Sequence, residues 1–219
     1  MSQKPLIVIV GAGPGVSAGV AKKFGANGFR VVNVSRTKES LDTFSKELNL
    51  QEIEAYGVEA DAADPDSLRK AFEHIKSEYG VPEVLVYNAA KIAQGTSASL
   101  TDEQLLNDFK VNVAGALVSA QQVIPELIER KEGTLLFTGG GFALYPSSAY
   151  TSLSIGKAGV RALAFTLADE LSPHGIYVGT VTIAGLVKPG TYYDPDRIAD
   201  VYWDLYVNKN QTEVFYKEA

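Results

Sequence analysis

The stretch PLIVIVGAGPGVSAGVAKKF, residues 5–24, decides the fold of this chain. Its first six residues are apolar and rich in β-branched side chains, which predicts a short buried strand. Val16, Val20 and Phe24 then recur at helical spacing. The glycines between these two patterns are therefore expected to form a turn that leads from a strand into a helix.

The glycines of this turn suit the binding of a dinucleotide. Gly11, Gly13 and Gly15 let the backbone turn sharply and come close to a pyrophosphate. The helix that starts near Val16 offers free N–H groups and the positive end of its dipole. A purely structural tight turn is the alternative. We favour a cofactor site because the glycines stand between a predicted strand and a predicted helix.

Strands and helices alternate along the rest of the chain. The patterns predict further strands at 29–35, 53–61, 81–90, 133–141, 175–185 and 212–219, and further helices at 40–48, 64–80, 100–133, 147–171 and 194–208. Asp64 with Pro65, and Thr101 with Gln104, match helix starts, and Pro125 is expected to kink the long helix. This order predicts one doubly wound α/β domain over 1–219, a Rossmann fold whose parallel sheet has about seven strands with helices on both faces.

The amino-acid composition of the chain indicates which classes of binding partner are expected and which are not. Hydrophobic residues make up 46% of the chain and charged residues 21%, as in globular proteins. The net charge is −6 without a basic cluster, so nucleic acid is not an expected partner. There is no cysteine, and His74 and His174 lie far apart, so we expect no metal site. No apolar run approaches the ~20 residues that cross a bilayer, which favours a soluble cytoplasmic protein without a membrane partner.

The end of the second strand bears on the choice of cofactor. Domains that prefer NAD usually carry an acidic residue there, which holds the ribose 2′-hydroxyl and repels a 2′-phosphate. This chain has Ser35 and Arg36, with Lys38 nearby. Because an arginine forms paired, charge-assisted bonds to phosphate, the sequence favours NADP(H) over NAD(H). A solvated arginine at a strand end is the alternative.

At this point the chain resembles the short-chain dehydrogenase/reductase family over nearly its whole length. VGAGPGVS is similar to the family's glycine motif, with Gly11 and Gly15 kept, and YNAA at 87–90 is similar to its NNAG motif, with Asn88 and Ala89 kept. EADAAD and TIAG contain Asp61 and Gly185 at places where the resemblance implies contacts with the cofactor. KVNVAG contains Asn112, similar to the family's catalytic-helix asparagine.

The resemblance implies a catalytic tetrad of Asn, Ser, Tyr and Lys, of which this chain keeps two members. Asn112 and Lys157 match, and Lys157 would bind the nicotinamide ribose. The serine place falls at Gly140 and the tyrosine place at Leu153. Neither side chain can donate a proton, so reduction of a simple carbonyl would lose its general acid.

Tyr150 is the best substitute for the missing acid. It lies seven residues before Lys157, which in a continuous helix returns it to nearly the same face about 10.5 Å away along the axis. This spacing is similar to the divergent branch of the family that contains enoyl-acyl-carrier-protein reductases. A structural role for this tyrosine is the alternative. Other candidate hydrogen-bond donors are Ser152, Ser154, Tyr192 and Tyr193.

Three functional hypotheses follow. The first is an NADP(H)-dependent oxidoreductase with an atypical site, acting on a small-molecule carbonyl or enoyl substrate. The second is a catalytically weak or inactive protein that binds NADP(H) as a redox sensor or regulator, and the third is a structural subunit that pairs with an active homologue. Apolar helix faces around 113–124 and 155–167 also predict a homodimer or homotetramer.

Overall fold

The computed structural model describes residues 4–218, which form one parallel sheet covered by helices on both faces. Seven strands lie in the order β3-β2-β1-β4-β5-β6-β7, which confirms the predicted doubly wound α/β fold. They are Leu6–Val10 (β1), Arg30–Ser35 (β2), Ala55–Glu59 (β3), Val84–Tyr87 (β4), Gly133–Gly140 (β5), Ile176–Ile183 (β6) and Glu213–Tyr216 (β7). The predicted last strand also included residue 219, which lies outside the described residues.

Eight α-helices connect or flank these strands. They are Val16–Ala26 (α1), Lys38–Asn49 (α2), Pro65–Glu78 (α3), Asp102–Phe109 (α4), Gly115–Gln121 (α5), Ile124–Arg130 (α6), Thr151–Leu171 (α7) and Pro195–Asn208 (α8). The predicted starts of α3 and α4 are confirmed, since the Asp64 side chain accepts from the N–H of Asp66 and the Thr101 hydroxyl accepts from that of Gln104.

The long helix predicted at 100–133 is divided into pieces. A π-helical turn, Lys110–Ala114, joins α4 to α5, and the chain then bends by 41° before α6, where Pro125 occupies the first turn. The predicted kink is confirmed, although the helix ends at Gln121, before the proline. No single helix of residues 4–218 has the length and apolar character of a membrane span. Among these residues, only the bent pair Asp102–Gln121 and Ile124–Arg130 is together long enough and apolar enough for a span, judged by length and composition alone.

The core lies in two layers, one on each face of the sheet. In β1, Leu6, Val8 and Val10 pack into one layer, while Ile7 and Ile9 pack into the other. Both faces of the strand are therefore buried, which explains why its sequence is a continuous apolar run rather than an alternating one.

The sheet topology determines where a ligand can bind. The strand order reverses between β1 and β4, because β2 follows β1 on one side and β4 lies on the other. In such folds the crevice outside the carboxyl ends of the strands at this point is the usual binding place. Val10 and Tyr87 end their strands in register there, and Val10 is also paired with Val34, the residue before the last of β2.

Candidate functional site

A cleft of about 1240 Å³ opens at the carboxyl ends of the strands. Most of the residues predicted to bind the cofactor or carry chemistry lie in its wall: Gly11, Gly15, Val16, Ser35, Arg36, Asp61, Asn88, Ala89, Tyr150, Lys157 and Gly185. Gly13 and Asn112 do not lie in the wall. The fold therefore brings two groups of predicted residues into one cavity. They are the phosphate end, which is the glycine turn with Ser35 and Arg36, and the catalytic end, which contains Lys157 and Tyr150.

The glycine turn presents open backbone to this cleft. Gly11 has a φ of 89°, and a Cβ on it would collide with Ala89. Gly15 has a φ of 119° and caps the 11-residue helix α1 without any side-chain hydrogen bond. Apart from each glycine and its chain neighbours, no atom of residues 4–218 lies within 4 Å of where a Cβ on Gly13 or Gly15 would stand. The start of α1 thus has both unpaired N–H groups and room for an anion.

Asn88 holds this turn in place from the end of β4. Its amide donates to Ser17 Oγ at 2.7 Å and to the Gly11 carbonyl at 3.3 Å, and Ser17 Oγ donates to the same carbonyl at 2.8 Å. The glycine turn is also fixed to β2, because the N–H groups of Gly11 and Ala12 both donate to Val34 O. The phosphate end is therefore preorganised.

Ser35 and Arg36 lie at the adjoining edge of the cleft, after β2. The Ser35 hydroxyl is buried and has no hydrogen-bond partner within residues 4–218, although its residue lines the cavity. Arg36 is exposed in the same wall. Asp61 follows β3 and accepts from the N–H of Ala63. The solvent-facing guanidinium of Arg36 can bind a phosphate ester, and the hydroxyl of the adjacent Ser35 is left without a partner among the described residues.

Lys157 projects from α7 into the middle of the cleft. Its Nζ donates to the Thr138 carbonyl at 2.8 Å, and its stem lies against Gly140, where a Cβ would stand 3.2 Å from Lys157 Cγ. Burial lowers the pKa of Lys157 to about 8. The ammonium is thus placed at the end of β5, in the space that a serine at position 140 would share.

Asn112 lies behind the wall, in the π-helical turn. Its side chain accepts from the N–H of Lys91 at 2.7 Å and donates to the Lys91 carbonyl at 3.4 Å. The asparagine is buried, and it fixes the backbone of the segment that follows β4. Its contacts are therefore those of a positioning residue.

Tyr150 differs from the sequence-based expectation in its backbone. The prediction that it lies on the helix two turns before Lys157 is wrong, because α7 begins at Thr151 and Tyr150 is its N-cap, with φ −135° and ψ 52°. The ring stacks on Phe142 at a centroid distance of 5.5 Å and an angle of 21°. Gln94 Nε2 donates to the tyrosine hydroxyl at 3.0 Å. These two contacts, rather than helical periodicity, hold the ring in the cleft wall.

The other candidate donors have partners within the protein. Tyr193 packs on Gly185 and donates to the Ala184 carbonyl at 2.9 Å, and Tyr192 stacks on Tyr216 at 4.8 Å. Ser152 donates to Asp108 and Ser154 donates to the Tyr150 carbonyl. None of these four residues lines the cavity, whereas Tyr150 does.

Sequence reasoning missed the residues that complete the wall. Gln94 and Phe142 position Tyr150, and Lys91 and Lys217 add positive charge. The apolar side chains Ile92, Tyr145, Leu186 and Phe215 extend the wall outward. Their common signal is that each follows, or lies in, a strand whose carboxyl end faces the cleft.

Comparisons with known proteins find relatives of this chain. The profile of the short chain dehydrogenase family matches residues 5–192. A protein named as ketoacyl reductase 1 of the granaticin polyketide synthase of Streptomyces violaceoruber is 28% identical over 183 residues, which cover 81% of this chain and 66% of that protein. The 3-oxoacyl-acyl-carrier-protein reductase of Staphylococcus epidermidis is 23% identical over 194 residues, or 88% of this chain and 80% of the relative.

Solved structures share the fold. An actinorhodin polyketide ketoreductase variant with NADPH superposes with a TM-score of 0.90 at 23% identity, covering 97% of this chain and 96% of that one. A metagenomic short-chain oxidoreductase in complex with NADP gives a TM-score of 0.89 at 24% identity, covering 98% and 97%.

Proposed function

Because this chain belongs to the short-chain dehydrogenase/reductase family, we propose that it is an NADP(H)-dependent oxidoreductase with an atypical active site, which acts on a carbonyl or enoyl substrate. The observation that carries the proposal is that one cleft contains the glycine turn, Arg36, Lys157 and Tyr150. The two usual donor places in the same cleft, Gly140 and Leu153, carry no proton donor.

The residues present fit NADP(H). The open backbone at Gly15 and the free start of α1 would hold the pyrophosphate, while Arg36 and the unpartnered Ser35 hydroxyl would hold the 2′-phosphate. Asp61 and Ala89 would border the adenosine, and Gly185 the nicotinamide side. When bound, the nicotinamide supplies hydride exchange. Solved structures of the same fold with NADPH and NADP support this choice.

Lys157 would bind the nicotinamide ribose through its ammonium. Its Nζ already lies at the end of β5, where the Thr138 carbonyl holds it at 2.8 Å. Asn112 contributes by fixing the Lys91 backbone opposite, so that this side of the cleft keeps its shape. Both residues thus position reactants, and neither replaces the proton donor.

Tyr150 would be the acid. Its Oη would give its proton to the oxygen that becomes negative as hydride arrives, or to the corresponding enolate of an enoyl substrate. The Gln94 amide N–H donates to that same Oη, so it would stabilise the phenolate left behind and turn the hydroxyl proton toward the cleft. Phe142 keeps the ring in place by stacking.

The rival function is that of a catalytically weak or inactive NADP(H)-binding redox sensor. The loss of both usual donors, with the phosphate end kept, favours it. Titration of the protein with NADPH and NADH by nicotinamide fluorescence, followed by panels of carbonyl and enoyl-thioester substrates, separates the two. We expect tight NADPH binding and oxidation by a substrate. Tight binding without turnover on either panel would favour the sensor, and no binding would refute both.

Lys157 gives the cofactor affinity a pH dependence. Since its pKa is lowered to about 8, the ammonium is present below that pH and is lost above it. We expect the dissociation constant of NADPH to rise about fivefold from pH 7 to pH 9 as this positive charge disappears. Lys157→Met should bind more weakly at pH 7 and show no such rise. Fluorescence titration at each pH measures both, and equal pH dependence in the two proteins would contradict the assignment.

We also propose that the chain forms a homodimer or homotetramer through the outer faces of α4, α5 and α7. Exposed apolar side chains occur there: Leu106, Phe109, Leu117, Ile155 and Phe165. Light scattering should give a multiple of the 23.5 kDa chain mass, and Ile155→Glu should reduce it. Leu50→Glu, at an exposed leucine on a different surface, is the control and should leave it unchanged. A wild-type mass of one chain would refute the proposal.

A further inference from the structure

The outer end of the cleft is lined by large apolar side chains that are exposed to solvent. Ile92 is 72% exposed, Tyr145 65%, Leu186 81% and Phe215 39%, and all four line the cavity. We call these four residues the apolar mouth. Large hydrophobic side chains that converge at such exposure mark a surface that another molecule covers.

The residues of the apolar mouth follow, or lie in, four different strands of the sheet. Ile92 follows β4, Tyr145 follows β5, Leu186 follows β6, and Phe215 lies in β7. These four strands are successive neighbours in the sheet. Tyr145 and Phe215 already approach each other, with ring centroids 6.2 Å apart. The chain thus places one apolar side chain at the end of each strand along this half of the cleft.

The charged residues in the cleft wall are mostly positive, in a chain whose net charge is −6. Among residues 4–218, the wall contains Arg36, Lys91, Lys157 and Lys217 but only one acidic residue, Asp61. The proposed function uses Arg36 and Lys157 for the cofactor. In that proposal Lys91 and Lys217 have no role in binding the cofactor, and neither forms an ion pair with any residue in 4–218.

The two remaining lysines are close in sequence to residues of the apolar mouth. Lys91 precedes Ile92, and Lys217 stands two residues after Phe215. Glu213 cannot neutralise Lys217, because its carboxylate is bound by Arg161 at 2.6 Å and by the Thr182 hydroxyl at 2.6 Å. The outer cleft therefore combines apolar surface with free positive charge.

From this combination we propose that the substrate carries both an apolar group, which the apolar mouth covers, and an anionic group, which Lys217 and Lys91 bind. The proposal rests on the proposed function, since it describes the substrate of that same site. Ile92, Leu186 and Phe215 offer no hydrogen-bonding side chain and Tyr145 offers a single hydroxyl, so the apolar mouth suits an apolar group better than an uncharged polar one. A covering apolar group also excludes water, which strengthens the attraction between the anion and the ammonium groups.

A pair of fluorescent probes tests the surface without turnover. Anilinonaphthalene sulfonate is apolar and anionic, and phenylnaphthylamine has the same rings without the charge. With oxidised NADP present in excess, we expect both to bind the wild-type protein. The variant Lys91→Gln/Lys217→Gln should weaken binding of the sulfonate about tenfold and leave that of the neutral probe unchanged. Leu186→Ser should weaken both, and Lys22→Gln, a lysine outside the cleft, should weaken neither.

Two outcomes of the probe experiment would overturn the proposal. If the sulfonate binds the double lysine variant as it binds wild type, the positive charge has no role in recognition. If Leu186→Ser changes neither probe, the apolar mouth is not the surface they cover. Since neither result depends on hydride transfer, a failure of the proposed oxidoreductase activity is recognised separately, by NADPH binding without turnover.

Two pairs of substrates then identify whether the anionic group of the substrate is a carboxylate or a phosphate. One pair is an apolar keto acid and its methyl ester, and the other is an acyl phosphopantetheine thioester and its dephosphorylated form. For the charged member of the matching pair, Lys217→Gln should raise KM about tenfold while kcat stays within about twofold. The neutral member should show no change in KM. Equal effects on charged and neutral members of both pairs would refute the proposal.

Discussion

Replacement of Arg36 with aspartate is expected to raise the dissociation constant of NADPH by about 100-fold, which corresponds to about 2.7 kcal/mol. The change would remove the paired bonds that we propose Arg36 makes to the 2′-phosphate and would place a carboxylate there instead. Binding of NADH should change by less than about threefold, because NADH has only a hydroxyl at that position. Fluorescence titration with the two cofactors measures the ratio directly.

The control for this variant is Lys46→Asp. Lys46 is an exposed residue of α2, so the substitution changes the net charge of the chain equally without altering the cleft wall. NADPH affinity should be preserved in it. If Arg36→Asp also leaves NADPH affinity unchanged, then Arg36 does not bind the 2′-phosphate and the preference for NADP(H) over NAD(H) has no structural basis.

Replacement of Tyr150 with phenylalanine should lower kcat by about 10²- to 10⁴-fold, the usual contribution of a general acid. NADPH affinity should stay within about twofold of wild type, because the phenyl ring can keep its stack on Phe142. Steady-state kinetics with the substrate found in the panels gives kcat, and fluorescence titration gives the affinity.

A rescue of kcat by a second substitution distinguishes loss of the proton donor from loss of structure. Leu153 lines the cleft one helical turn before Lys157, so Tyr150→Phe combined with Leu153→Tyr returns a hydroxyl to the cavity by another route. Partial recovery of kcat is expected, and Leu153→Phe in the same background should give none. Gln94→Met, which removes the amide but keeps Tyr150, should lower kcat less, by about tenfold. Full turnover in Tyr150→Phe would remove this residue as the acid.

The fold was predictable because its determinants are local. The apolar run of β1 fills both core layers, and the Asp64 and Thr101 caps work through side chains in the same segment. The start of α7 was not predictable in this way. Tyr150 makes no side-chain cap, and its backbone is paired with Gly95 from another part of the chain, with the Thr151 N–H donating to the Gly95 carbonyl at 3.1 Å.

The two ends of the cleft differ in how well the sequence predicts them, and the reason is again whether the determinants are local. The cofactor end depends on backbone conformation at Gly11 and Gly15, which the sequence marks plainly. The outer end depends on single residues after four different strands, such as Ile92 and Leu186, and these have no periodicity that relates them. Only the order of strands in the sheet brings them together.

The contact between Gly140 and the stem of Lys157 affects how this site could evolve. A serine at position 140 would put its Cβ 3.2 to 3.3 Å from three carbons of that stem, so the lysine would have to shift before the new hydroxyl could act. The benefit of a serine at position 140 therefore depends on how far the Lys157 stem can move. Positions 140 and 157 are thus coupled: the effect of a serine at 140 should differ between a chain that keeps Lys157 and one with a shorter side chain at 157, which is epistasis between the two positions.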